Sequence, residues 1–171
     1  MQVHFSEIPL EGLRLEIWDE SWFPDQELTR NKAVTALVLL TKKGERVLLD
    51  GKIDTEVVLD CDRCLEAYPL KLDFDFRIEF ELLEGGSNAD IVSDHLCSTS
   101  EMDMVYVSEP VIDLFQVLRQ QVFLMLPLKK ICSETCKGLC KICGRNLNKE
   151  QCQCARQPSD SPFSVLEKLK K

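Results

Sequence analysis

From Val47 to Leu82 the chain alternates apolar and polar residues at period 2, and the parity of that alternation reverses at a Cys-x2-Cys. Val47, Leu49, Gly51, Ile53, Thr55, Val57 and Leu59 occupy odd positions, with Asp50, Lys52, Asp54, Glu56 and Asp60 among the residues between them. After Cys64 the apolar set moves to even positions, Tyr68, Leu70, Leu72, Phe74, Phe76, Ile78, Phe80 and Leu82, interleaved with Lys71, Asp73, Asp75, Arg77, Glu79 and Glu81. Successive strand residues face opposite sides of a sheet, so the reversal predicts two antiparallel strands, about 46–82, that share one apolar face. Placing Val57 opposite Tyr68, Ile53 opposite Leu72, Gly51 opposite Phe74 and Val47 opposite Ile78 satisfies it. That register puts Cys61 opposite Cys64 across a two-residue loop, Asp62-Arg63.

The rest of the chain supplies partners for this hairpin. Residues 33–40 read as an apolar strand ended by a turn at Lys42-Lys43-Gly44-Glu45, and Leu13 to Ile17 alternates as another. Trp18 and Trp22 are read as core or edge packing. Residues 84–101 have the Gly, Ser, Asn and Asp content of a loop, and His95 and Cys97 within it lack the convergent neighbours a metal site needs. Met102 to Val107 is a short strand. Ser108-Glu109-Pro110 then reads as a helix start, with Val111, Leu114, Phe115, Leu118, Val122 and Leu126 at helical spacing and Pro127 as the stop. Its end, Phe123-Leu124-Met125-Leu126, is apolar all round and is expected to be buried. The fold class is therefore α+β: an antiparallel sheet built on the long hairpin, a covering helix at about 109–126 and a C-terminal cysteine-rich module. The expected division is an acidic body at 1–127, a zinc module at 128–156 and a basic tail at 157–171.

Cys132, Cys136, Cys140, Cys143, Cys152 and Cys154 crowd a segment too poor in apolar residues to build a core. The amino-terminal residues lack a secretory pattern and no run approaches the length of a membrane span, so the chain reads as soluble and intracellular, where thiols stay reduced and ligate metal. Cys140-Lys141-Ile142-Cys143-Gly144 has the form of a zinc knuckle, in which glycine permits the turn that aims backbone amides at sulfur. Cys152 and Cys154 return toward it. That leaves Cys132 and Cys136 without neighbours, as it does Cys61 and Cys64. Two Zn²⁺ sites are therefore expected: Cys140, Cys143, Cys152 and Cys154 in one, Cys61, Cys64, Cys132 and Cys136 in the other. The rival is a single site drawn from Cys136, Cys140, Cys143 and one of Cys152 or Cys154. A redox dithiol at Cys61 and Cys64 fits less well, because strands flank it on both sides rather than a helix N-terminus.

Charge is distributed unevenly. Residues 1–126 hold 11 Lys or Arg against 25 Asp or Glu, and residues 127–171 hold 10 against 4. An acidic body with a basic end points to a nucleic acid or acidic partner at that end, with Lys129, Lys130, Lys137, Lys141, Arg145 and Lys149 as candidate phosphate contacts. In the tail, Phe163, Leu166 and Leu169 beside Lys168, Lys170 and Lys171 form a short amphipathic pattern expected to dock on its own body. Neither a phosphate loop nor a nucleophile paired with His is evident, which argues against an enzyme with a small-molecule substrate.

Several runs together resemble a known family: Leu59-Asp60-Cys61-Asp62-Arg63-Cys64-Leu65, Val111-Ile112-Asp113-Leu114 onward to Leu126-Pro127, Cys136-Lys137-Gly138-Leu139-Cys140-Lys141-Ile142-Cys143-Gly144-Arg145-Asn146-Leu147-Asn148, and Ser161 to Leu169. From about residue 45 onward the chain is similar to the YceD family of large ribosomal RNA subunit accumulation proteins. The resemblance implies a noncatalytic bacterial cytoplasmic or plastid factor for accumulation of 23S ribosomal RNA, acting in ribosome assembly on the RNA or the pre-ribosomal particle. It implies no catalytic residues. A second expectation is a protein-interaction module whose acidic sheet face, Asp54, Glu56, Asp73, Asp75 and Glu79, meets a basic ribosomal protein or assembly factor.

Overall fold

A computed structural model describes residues 1–83 and 104–154. The strands are β1 (Gln2–His4), β2 (Leu13–Ile17), β3 (Thr29–Arg30), β4 (Thr35–Lys43), β5 (Arg46–Asp60), β6 (Ala67–Leu82), β7 (Met104–Val107) and β8 (Val111–Asp113), followed by helix α1 (Leu114–Met125). Among the described residues the main sheet runs β2-β4-β5-β6-β7, with β3 also paired to β5, and β1 pairs with β8 in a separate two-stranded ribbon. The class is α+β. The sheet is mixed rather than purely antiparallel, because β7 joins β6 in parallel.

The chain divides into two compact units. Among the described residues, 1–59, 69–83 and 104–127 form the first, and 60–68 with 128–154 form the second. In the first, the odd positions of β5 are buried from Val47 to Leu59. Thr55, the buried polar member of this row, is satisfied by donating its hydroxyl to the Lys32 carbonyl at 3.1 Å. Leu40, Val38, Leu72, Phe74, Phe80, Ile112, Leu114, Leu118 and Val122 are among the other residues of the core. β4 and β5 pair from Lys43↔Arg46 onward, so Gly44 and Glu45 alone make that turn, and Gly44 takes the positive φ of 66° that such a turn demands.

Four further expectations need correction. The β5–β6 link is longer than two residues: the Cys61 N–H donates to the Glu66 carbonyl at 3.0 Å, enclosing Asp62 to Leu65. Gly51 accordingly lies against Phe76 rather than Phe74, and a Cβ there would overlap the Phe76 ring. The displacement is even, so every side chain keeps its predicted face. Secondly, α1 starts at Leu114 and not at 109. Val111–Asp113 pairs with Gln2–His4, and Asp113 is the cap, its carboxylate accepting from the N–H groups of Phe115 and Gln116 at 3.1 and 3.3 Å. β-Branched Val111 and Ile112 suit a strand once a partner exists, and β1 supplies one. Thirdly, the helix end is not buried, since Phe123, Leu124 and Met125 are 39%, 73% and 45% exposed. Lastly, Trp22 is core as expected, whereas Trp18 is 76% exposed.

Candidate metal centre

The turn Asp62–Leu65 is built around a sulfur. The Leu65 N–H bonds back to the Cys61 carbonyl at 2.8 Å, and Leu65 takes a left-handed φ of 59°. This aims the amides of Arg63 and Cys64 at Cys61 Sγ, to which the Cys132 N–H also donates at 3.4 Å. Asp62 holds the incoming chain at two points: its N–H donates to the Lys130 carbonyl at 2.7 Å, and its carboxylate accepts the Lys130 N–H at 2.8 Å. The residues that follow are thereby laid along the turn. Cys61 Sγ lies 3.9 Å from Cys136 Sγ, and Cys64 Sγ lies 3.8 Å from Cys132 Sγ. All four sulfurs fall within 4.8 Å of one another.

Those separations carry chemical information. A disulfide would bring sulfurs to about 2.05 Å. Four thiolates at about 2.3 Å from a central Zn²⁺ form a tetrahedron whose edges are about 3.8 Å. The Cys61–Cys136 and Cys64–Cys132 separations have that edge length, and all four sulfurs stay within 4.8 Å. Cys61, Cys64 and Cys136 are buried with Tyr68 and Ile131 packed against them, while Cys132 is exposed.

Gly138 makes this closure possible. It has φ 72°, and a Cβ on it would stand 2.9 Å from the Arg63 carbonyl oxygen, which accepts the Leu139 N–H at 2.9 Å. The Arg63 guanidinium donates in turn to the Cys136 carbonyl at 3.1 Å. A side chain at 138 would be strained by φ and pressed against backbone.

Cys140, Cys143, Cys152 and Cys154 form the second group, again with all sulfurs within 4.8 Å. Its turn repeats the first in local form: the Gly144 N–H donates to the Cys140 carbonyl at 2.9 Å, Gly144 has φ 72°, and the Ile142 N–H approaches Cys140 Sγ at 3.5 Å. The surroundings differ. Cys143 is exposed and the other three are half-buried. A two-residue ladder supports the group, with the Cys140 N–H donating to the Arg145 carbonyl at 2.8 Å and Leu139 bridging Asn146.

Each group could hold a metal ion, and the backbone already favours thiolate at one end of each. Burial pushes the Cys61 thiol up, but the amides of Cys132, Cys64 and Arg63 outweigh it and bring it down to about 6. Cys140 also lies at about 6, held there by the N–H groups of Cys143 and Ile142. Cys132 is pushed up to about 12, chiefly because its sulfur loses water among the other three although the residue as a whole is exposed. Cys154 reaches about 12 through its contact with Cys143 and then through lost solvation. A cation entering either group must displace the protons of the high-lying thiols, so its binding depends on pH.

Of the six basic residues singled out in the sequence, two are engaged internally. Lys149 pairs with Glu66 at 2.7 Å, an acid that also accepts from Asn146 Nδ2 at 3.3 Å, and Arg145 pairs with Glu150 at 3.5 Å. Lys129, Lys130, Lys137 and Lys141 make no ion pair among the described residues, and all but the half-buried Lys130 are exposed. Three of the five acids on the sheet face have ion-pair partners, Asp54 with Lys32, Asp73 with Lys71 at 2.8 Å and Glu79 with Arg46 at 3.3 Å, while exposed Asp75 makes no ion pair among the described residues. Glu56 accepts from Asn31 at 2.5 Å. His95, Cys97 and the 157–171 tail lie outside the described residues. Asp62 and Asn148 emerge as supports that residue spacing did not reveal: Asp62 meets Lys130 across 68 residues, and Asn148 bonds Lys137 and Cys136 rather than its own turn. No described helix is long and apolar enough to cross a membrane.

A family model described as "Large ribosomal RNA subunit accumulation protein YceD" matches residues 49–170, which include every cysteine of both groups. The chain belongs to the YceD family. Relatives include a chloroplastic large ribosomal RNA subunit accumulation protein YCED homolog 1 of Arabidopsis thaliana, 28% identical over 157 residues, which cover 80% of this chain and 48% of the relative. The Zea mays protein of the same name is 27% identical over 141 residues, 71% of this chain and 48% of that one. An uncharacterized protein of Mycobacterium tuberculosis is 33% identical over 107 residues, 63% of this chain and 48% of its own. The chain thus spans about half the length of the curated relatives it matches. No solved structure matches it.

Proposed function

We propose that this YceD-family protein supports accumulation of large-subunit 23S ribosomal RNA as a noncatalytic factor in a bacterial cytoplasm or plastid, acting on the RNA or the pre-ribosomal particle. The family match across residues 49–170 carries the reading. Two Zn²⁺ ions, one in each group of four cysteines, would fix the second unit. Four thiolates close a tetrahedral ion completely, which is the form of a structural site and leaves no position for a substrate. RNA contact falls to Lys129, Lys130, Lys137 and Lys141, with Arg145 and Lys149 as contributors that must first leave their acids.

The metal changes the electrostatics of this surface. Each Zn²⁺ with four thiolates is formally dianionic, so nearby lysines also counter the sites themselves. Recognition would therefore rest on the placement of a few lysines rather than on a broad basic field. Four phosphate contacts correspond to a log–log salt slope of about −3. In the acidic-face alternative Asp54, Asp73 and Glu79 would likewise have to exchange their present partners, leaving Glu56 and Asp75 as the acids without an ion pair among the described residues.

Crosslinking the intact protein to pre-ribosomal particles, with RNA and protein adducts both mapped, tests the reading. Adducts to large-subunit RNA within 129–149, lost on changing Lys129, Lys130, Lys137 and Lys141 to Glu, are expected. Undiminished RNA association of that variant would overturn the RNA surface. Adducts to a basic protein on the Asp54–Glu79 face would favour the interaction module instead.

A further inference from the structure

The two groups of cysteines are joined by more than the chain between Cys136 and Cys140. The return segment 144–151, which carries the chain from Cys143 to Cys152, contains Asn146 and Asn148. Asparagine in such a turn ordinarily bonds its own local backbone. Asn146 does so, its Oδ1 accepting the Asn148 N–H at 2.9 Å. Asn148 does not. Its Nδ2 donates to Cys136 Sγ at 3.3 Å, and its Oδ1 accepts the Lys137 N–H at 2.8 Å. One amide of the second group's loop therefore grips both the sulfur and the adjoining backbone of a first-group residue. The Leu147 N–H, donating to the Gly138 carbonyl at 2.9 Å, holds the two segments in step.

Asparagine is chemically suited to this position. The thiolate needs a donor and the Lys137 N–H needs an acceptor, and a carboxamide offers both in one plane. Aspartate would keep the acceptor but lose the donor and place a carboxylate beside a thiolate. Alanine would lose both. Groups that orient a metal's direct ligands commonly alter affinity by about 10–100-fold.

We propose that Asn148 couples the two metal groups. Closing Cys140, Cys143, Cys152 and Cys154 around an ion seats the 144–151 return, which delivers the Asn148 amide to Cys136 and raises the metal affinity of the first group. The coupling is reciprocal, so occupancy of the first group favours closure of the second by the same factor. The inference rests on the reading that each group holds a metal.

Anaerobic titration of the reduced, metal-stripped full chain with Co²⁺, followed by thiolate-to-metal absorption, separates the two ideas. Wild type should bind two equivalents, and Asn148→Ala should still bind two while one affinity falls by tenfold or more. In a Cys152→Ser/Cys154→Ser background, which removes the second group, the remaining affinity should already be weakened. Adding Asn148→Ala there should change it little, since coupled residues are non-additive. Asn148→Asp, which keeps the Lys137 contact, controls for a purely structural role. It should bind as weakly as Asn148→Ala. Recovery of affinity in Asn148→Asp, unchanged affinity in Asn148→Ala, or full additivity with the double serine variant would each overturn the coupling while leaving two metal sites intact. Saturation below two equivalents in wild type would remove the two-metal reading and the inference with it.

Discussion

The two groups of cysteines are locally alike and globally different. Each begins with Cys-x2-Cys and places a left-handed residue directly after the second cysteine, Leu65 at φ 59° in one and Gly144 at φ 72° in the other. The first is mostly buried and joins Cys64 to Cys132 across a sequence separation of 68. The second is half-exposed and closes within the segment 140–154. The same turn chemistry thus serves as a long-range clamp in one place and as a self-contained staple in the other. The free-energy consequences of losing each should differ accordingly.

Acid tests both groups together and should have the largest effect. The Cys61 and Cys140 thiols are held down to about 6 from a usual 9.0. Stabilisation through their thiolate forms is therefore present above the unfolded value near 9 and lost as the pH falls through about 6. Protons compete with metal for the thiolates, so metal occupancy should fall as the pH is lowered from 7, the half-exposed group emptying first. A chromogenic chelator read across pH 4 to 8 follows this, and simultaneous release from both groups would erase the distinction drawn between them.

Single ligand replacements come next. By loop-closure entropy, a cross-link spanning 68 residues stabilises by about 4 kcal/mol and one closing the shorter Cys143-to-Cys152 return by about 3 kcal/mol. Cys64→Ser should therefore lower the unfolding free energy of the metal-loaded chain more than Cys143→Ser, with chemical denaturation as the measurement. Equal losses would mean that the first group is no clamp. Stripping both metals should lower the melting temperature, and an unchanged value would refute metal-coupled stability altogether.

Glycine replacements sharpen the contrast further. Gly138 and Gly144 share φ 72°, but a Cβ meets the Arg63 backbone at 2.9 Å in the first case and nothing within 4 Å in the second. Gly144→Ala should cost about 1 kcal/mol from backbone strain alone, and Gly138→Ala appreciably more. The smallest effect is expected at Leu65, a 67%-exposed leucine in a left-handed conformation. Leu65→Gly relieves strain of about 1–2 kcal/mol and loosens the unfolded chain by somewhat less, for a net gain of about 1 kcal/mol or below. A loss of stability in that variant would show that the Leu65 side chain does packing work its exposure does not reveal.

Much of this was legible in the residues. The alternation of 47–82 predicted which side chains face the core, because strand periodicity is local and a burial error on one face would affect every residue of the row. Loop length was not legible, because turns of two and of four residues preserve the same parity. What decides between them is the set of amides gathered around Cys61, which a two-residue turn does not supply. Helix α1 began later than its spacing implied because Val111 and Ile112 were drawn into a strand by Gln2–His4, a partner more than a hundred residues away. The exposed end at Phe123 to Met125 was misjudged because an all-apolar surface says nothing about what is available to cover it.

What the sequence determined alone is therefore what short-range chemistry determines: the strand faces, the knuckle form of Cys140 to Gly144, the density of thiols and the family to which the chain belongs. Tertiary structure decided the rest. It gathered Cys61, Cys64, Cys132 and Cys136 within 4.8 Å, paired Lys149 with Glu66, and sent the Asn148 amide to Cys136 instead of its own turn. The sulfur contacts and the Lys149–Glu66 pair join residues 68 to 83 positions apart, and the Asn148 bond depends on how the return segment is seated, so only the folded backbone sets these distances.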